Sequence, residues 1–169
     1  DLGCKVAVYD ILFPPELDET ARSDYAIPDY VKLVSLEELL ASCHVVSLHA
    51  PLSRENGGCV SEAQLNRMRP DAFLINVSRG GLVNERDLLA ALVNKKIAGA
   101  ACDTWEKEPV SADHPLLQLE NFIGTPHMAW YSEQASLDLK RKLAEECIRA
   151  LRGEPLHYQL NRTAMEKRK

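Results

Sequence analysis

The sequence predicts an α/β domain on a doubly wound parallel sheet, lacking its first strand and Gly-rich loop, with a long C-terminal helix. Two observations carry this. Short apolar, strand-like runs alternate with helical patterns six times along the chain, and such alternation builds a parallel sheet with helices on both faces. Polar residues capable of chemistry also follow directly after several of those runs, and ligands of such sheets bind outside the carboxyl ends of the strands.

Taken in order, Val6-Ala7-Val8-Tyr9 is a first strand ending at Asp10. Gly3 before it reads as the end of a helix whose body is missing. Val31 to Val34 is a second strand. Ser35-Leu36-Glu37-Glu38 has the capping-box pattern that opens a short helix. His44 to Leu48 is β-branched and strand-like. Ser61 to Arg67 is helical with Ser61 as N-cap. Ala72 to Asn76 is a strand. Asn84 starts a helix whose Leu88, Leu89, Leu92 and Val93 recur at helical spacing. Ala98 to Cys102 and Asn121 to Gly124 are the last strands. Ser132 to Arg152 is a long amphipathic helix with Leu137, Leu139, Leu143, Cys147, Ile148 and Leu151 as apolar members and Gly153 as its stop. The polar tail from Thr163 to Lys169 is expected to be loose.

The 169 residues suffice for one domain with a real core, and 46% hydrophobic with 27% charged residues is ordinary for a globular protein. A net charge of -5 argues against nucleic acid or an anionic membrane as main partner, since a phosphate backbone needs a basic face. The five cysteines, Cys4, Cys43, Cys59, Cys102 and Cys147, lack Cys-x-x-Cys spacing. They read as reduced thiols of a cytoplasmic protein, with neither a disulfide framework nor a metal site. No apolar run reaches transmembrane length. The chain opens abruptly at Asp1 without Met and reads as part of a longer protein.

Asp10 ends the first strand, where dinucleotide-binding domains keep an acid for the adenosine ribose diol; a plain turn residue is the competing reading. The Gly-rich loop expected about 20 residues earlier is absent. Ala50-Pro51-Leu52 after the third strand suits a backbone wall beside a cofactor or a simple turn. Arg79 stands at the carboxyl end of a strand, followed by Gly80-Gly81, and a guanidinium there can clamp a carboxylate bidentately. Asp103 ends the next strand, and Glu108 lies before a proline. His127 follows the last strand. None of these persuades alone. One Arg, one Glu and one His after successive strands make a site.

Val77-Ser78-Arg79-Gly80-Gly81-Leu82-Val83-Asn84-Glu85, Asp103-Thr104-Trp105-Glu106-Lys107-Glu108-Pro109 and Thr125-Pro126-His127-Met128-Ala129-Trp130 occur in this order. Together they resemble the Rossmann-like cofactor domain of the D-isomer-specific 2-hydroxyacid dehydrogenases, which include 3-phosphoglycerate, glycerate and D-lactate dehydrogenases. The resemblance implies NAD as cofactor, a small 2-keto or 2-hydroxy acid as substrate, and a homodimer. It implies catalytic roles for Arg79 (substrate carboxylate), Glu108 (partner of the histidine) and His127 (proton donor). It implies cofactor contacts from Asp10, Ala50, Pro51, Leu52, Ser53, Asn56, Val77, Ser78, Arg79, Asp103, His127, Ala129 and Trp130. Residues 1–130 would be the NAD-binding domain, N-terminally truncated. Residues 131–169 would be a helix and tail packing toward a missing substrate domain. Met128 replaces a small residue common in the family. Formate dehydrogenase, a relative, pairs its histidine with glutamine, and Glu108 speaks against it. The stretch from Trp130 to Ser136 also resembles the C-terminal-binding-protein branch, so an NAD-sensing, protein-binding module is the alternative. The isolated chain is expected to be inactive.

Overall fold

Six strands and five helices follow one another in the computed structural model, which describes residues 3–13, 15–16 and 19–159, with the side chains of 19–21 excepted. The strands are β1 (Val6–Val8), β2 (Val31–Leu33), β3 (Val45–Leu48), β4 (Phe73–Asn76), β5 (Gly99–Cys102) and β6 (Phe122–Gly124). The helices are α1 (Glu19–Asp24), α2 (Leu36–Ser42), α3 (Glu62–Leu65), α4 (Glu85–Val93) and α5 (Glu133–Arg152). Single 3-10 turns add Gly80–Leu82 and Pro115–Gln118. The chain divides after Ala129 into two compact units.

All described ladders of the first unit are parallel. β1 pairs with β2, and β3-β4-β5-β6 form a second sheet in sequential order. The expected alternation is therefore present, but as two ladders. Among the described residues β1 and β3 each pair on one side only. The expectation for residues 163–169 lies outside the described residues.

Local chemistry explains the boundaries. Ser35 Oγ accepts the Glu38 amide at 3.1 Å and starts α2. The reciprocal arm of the expected capping box is diverted, because Glu38 Oε1 meets Lys32 Nζ at 2.6 Å. At α3, Gln64 Oε1 accepts the Ser61 amide at 3.2 Å, supplying that arm. Asn84 Oδ1 accepts the Asp87 amide at 3.0 Å and caps α4. The sequence reading missed α1 and both 3-10 turns, which are too short to show a helical period.

The core lies on one face of the four-stranded sheet. Val46, Leu74, Ala100, Cys102 and Phe122 point into it, against Leu40 of α2, Leu65 of α3, and Leu88 and Leu92 of α4. Each fully buried Leu contributes roughly 1.5–3 kcal/mol. The alternate strand positions Val45, Phe73 and Ile123 are exposed.

In the second unit, Ser132 Oγ accepts the Ala135 amide at 3.0 Å and Gly153 closes α5 at φ 69°, a left-handed conformation that favours glycine. The chain then folds back, and Glu146 Oε2 accepts the His157 amide at 3.0 Å. The apolar positions Leu137, Leu139, Leu143 and Leu151 of α5 are exposed. No described helix is long and apolar enough to cross a membrane.

Candidate active site

β4 ends in Asn76, which is fully buried and shapes the turn after it. Its Oδ1 accepts the Ser78 amide at 3.1 Å, and its Nδ2 donates to the Arg79 carbonyl at 2.9 Å. A buried amide must satisfy both ends, and here it does so by bending residues 76–79. Ser78 Oγ donates to the Ala50 carbonyl at 2.6 Å, joining this turn to the one after β3. The Arg79 side chain is exposed, and its Nη1 donates to the Ser78 carbonyl at 2.8 Å. Next comes a close approach that only glycine permits. A Cβ on Gly80 would lie 2.0 Å from the carbonyl carbon of Trp105.

The segment after β5 carries the acids. Asp103 is buried, and its carboxylate accepts the Met128 and Ala129 amides, each at 2.8 Å, and the Thr125 hydroxyl. Its backbone carbonyl accepts the His127 amide at 2.8 Å. Burial pushes the Asp103 carboxyl up, but the Thr125 hydroxyl and the two amides outweigh it and hold the group below its ordinary value. Asp103 therefore pins both flanks of His127, whose φ of 54° is uncommon outside glycine.

Glu108 reaches back over the same segment. Its Oε1 accepts the Trp105 amide at 3.0 Å, and its Oε2 meets His127 Nδ1 at 2.7 Å. The hydrogen bond with His127, then the Trp105 amide, hold its carboxyl below the usual value. An ionised carboxylate only accepts, so Nδ1 carries the proton in this contact.

The remaining predicted residues divide. Ala50, Pro51, Leu52 and Ser53 are exposed in the segment after β3, and Asn56 is half-buried at its end. Asn56 is used within it, with Nδ2 donating to the Pro51 carbonyl and Oδ1 accepting the Ser53 amide, both at 2.7 Å. Val77 is exposed beside Ser78. Asp10 lies two residues beyond β1 of the separate two-stranded ladder, where Oδ1 accepts the Leu12 amide at 2.8 Å in a tight turn. Trp130 opens the second unit, edge-to-face with Tyr131.

Asn76 and Trp105 escaped the sequence reading as site residues. A buried polar residue ending a strand, and a bulky aromatic between two predicted acids, were the available signals. Among the described residues no cluster of His, Cys, Asp and Glu could hold a metal ion.

Comparison with known proteins shows the family and the fold. The family model described as "D-isomer specific 2-hydroxyacid dehydrogenase, NAD binding domain" matches residues 1–129. The chain is 38% identical over 136 residues to a D-3-phosphoglycerate dehydrogenase of Archaeoglobus fulgidus, covering 80% of this chain and 26% of that protein. It is 41% identical over 137 residues to a glyoxylate reductase of Korarchaeum cryptofilum, covering 81% and 41%. It superposes with a TM-score of 0.81 and 27% identity on a D-lactate dehydrogenase with NAD+ from Lactobacillus jensenii, covering 95% of this chain and 49% of that one. The chain thus spans less than half the length of these relatives. By the match over residues 1–129, it belongs to the D-isomer specific 2-hydroxyacid dehydrogenase family, through that family's NAD binding domain.

Proposed function

We propose that this chain is the cofactor-binding half of a longer NAD-dependent oxidoreductase that interconverts a 2-keto acid and a D-2-hydroxy acid. The observation that carries it is the Glu108–His127 contact at 2.7 Å, on a loop that Asp103 pins from both sides.

The chemistry of the side chains fits a dinucleotide and an anionic substrate. The exposed Asp10 carboxylate suits a ribose diol and repels a 2′-phosphate, which favours NAD over NADP. The turn from Ala50 to Asn56, with Val77, Ser78 and Ala129, would line the cofactor. A bound nicotinamide supplies or accepts the hydride at C2. His127 gives a proton from Nε2 to the keto oxygen as negative charge develops there, and takes it back in the oxidation direction. Glu108 holds the ring through Nδ1 and offsets its charge. Arg79 turns from the Ser78 carbonyl to grip the substrate carboxylate, orienting C2 for hydride transfer. Asp103 acts on the His127 loop. Its carboxylate is engaged by Thr125, Met128 and Ala129, which supports a structural role over a direct nicotinamide contact.

The full-length protein containing this chain, as a homodimer, is the form to assay. His127→Gln is expected to abolish NADH oxidation with a panel of 2-keto acids that includes glyoxylate, while NADH binding by fluorescence stays near wild type. Near-normal turnover in this variant would sink the assignment.

A further inference from the structure

We propose that Trp105 is a positioning residue that sets the Glu108–His127 contact. This rests on the catalytic reading of that pair and extends it to a residue that touches neither substrate nor cofactor.

Trp105 is buried, and it holds the roots of both partners. Its backbone N–H donates to Glu108 Oε1 at 3.0 Å. Its indole N–H donates to the carbonyl of Thr125, two residues before His127, at 2.9 Å. One residue, through its backbone on one side and its indole on the other, therefore links the carboxylate to the segment that presents the imidazole. Arg79 joins the same residue through the Gly80 backbone, which lies against the Trp105 carbonyl.

The ring itself is held from several sides. It meets Phe122 edge-to-face at 5.7 Å and His114 edge-to-face at 5.2 Å. A Cβ on Gly124 would come within 2.7 Å of the indole. His114 is held in turn, with Nε2 at 3.2 Å from Glu85 Oε2. Glu85 and Glu106 then exchange hydrogen bonds between side chain and backbone, at 2.7 and 3.0 Å, clasping the residue after Trp105 to the start of α4. The indole is fixed in rotation as well as position. Small displacements of a catalytic group cost large factors in rate.

A merely structural tryptophan would make a different prediction, so the test separates the two. In the full-length protein, Trp105→Phe keeps an aromatic ring in the core but removes the indole donor together with the outer ring atoms that pack beside Gly124. The expected result is a kcat lower by about 10-fold, with KM for glyoxylate and affinity for NADH within about 2-fold. Because the indole acts by setting the Glu108–His127 contact from the Thr125 side, adding Trp105→Phe to Glu108→Gln, which already weakens that contact, should lower kcat little further. Leu65→Val, a core change remote from these contacts, supplies a comparison that lowers thermal stability without the selective kcat loss. Should Trp105→Phe fail to fold, His114→Gln, which keeps a donor toward Glu85, and His114→Ala replace it. Alanine should lower kcat and glutamine should restore it. An unchanged kcat, a change confined to KM, or losses that multiply in the double variant overturn the proposal. Near-normal turnover in Glu108→Gln alone overturns the catalytic reading itself, so the two failures are distinguishable.

Discussion

Glu108 binds His127 with one carboxylate oxygen, at 2.7 Å from Nδ1, and the backbone of Trp105 with the other, at 3.0 Å. The carboxylate is thus oriented by its own loop before it orients the imidazole. The loop after β5 therefore helps set the ring's direction, alongside the Asp103 contacts that fix the residues flanking the histidine.

The charge on Glu108 should matter more than its shape. Glu108→Gln keeps both contacts sterically but removes the anion, and kcat should fall about 100-fold with little change in NADH affinity. In the unaltered enzyme the contact with His127 and the Trp105 amide depress the Glu108 pKa, so the acceptor survives to lower pH than a free glutamate would. In the keto-acid reduction the acid limb of the activity profile should therefore lie below the usual glutamate range. A steady-state pH profile of both proteins checks this.

Asp103 predicts a stability effect with a defined pH window. Asp103→Asn turns one acceptor oxygen into a donor facing a backbone N–H or the Thr125 hydroxyl, which should cost about 2–3 kcal/mol in urea unfolding. The folded pKa lies below the ordinary value. Its contribution is therefore complete above the unfolded pKa of about 3.9 and is lost as pH falls through the folded value. The Asn variant should lack that part of the acid dependence.

Two glycines should respond differently to the same change. Gly80→Ala drives a Cβ to 2.0 Å from the Trp105 carbonyl carbon, an approach that backbone must move to relieve. A loss of about 3 kcal/mol or more is expected, or failure to fold. Gly153→Ala meets nothing within 4 Å but keeps φ at 69°, so it should cost only about 1–2 kcal/mol. Thermal unfolding of the two variants ranks them.

Thiol labelling probes the core. Burial, with the charge of Glu85 adding, pushes the Cys102 thiol up to about 12. Cys4 and Cys147 are exposed. In native protein near pH 8 the latter two should react with a disulfide reagent while Cys102 stays silent, and denaturant should release it.

Strand periodicity, helix caps and the glycine stop of α5 were legible along the chain because each depends on neighbours within a few residues. Ser35, Ser61, Asn84, Ser132 and Gly153 stand at the helix ends the sequence marks. The expected one sheet divides into two ladders, because pairing between strands is a long-range matter. The apolar stripe of α5 was equally legible, but its exposure was not, since periodicity says what could be buried and not what covers it.

The site shows the same division. The sequence by itself determined which residue types follow the strands, and so offered Arg79, Glu108 and His127 as candidates; of these the structure brings Glu108 to His127, while Arg79 donates to the Ser78 carbonyl. Only the tertiary structure decided how. It turned Asp103 toward the His127 loop. It made Trp105, a residue with no chemistry of its own, the link between Glu108 and the Thr125 carbonyl. The physical reason is range. Strand ends are set by local pattern, whereas hydrogen bonds across 20 or more positions form only once β5 and β6 lie side by side.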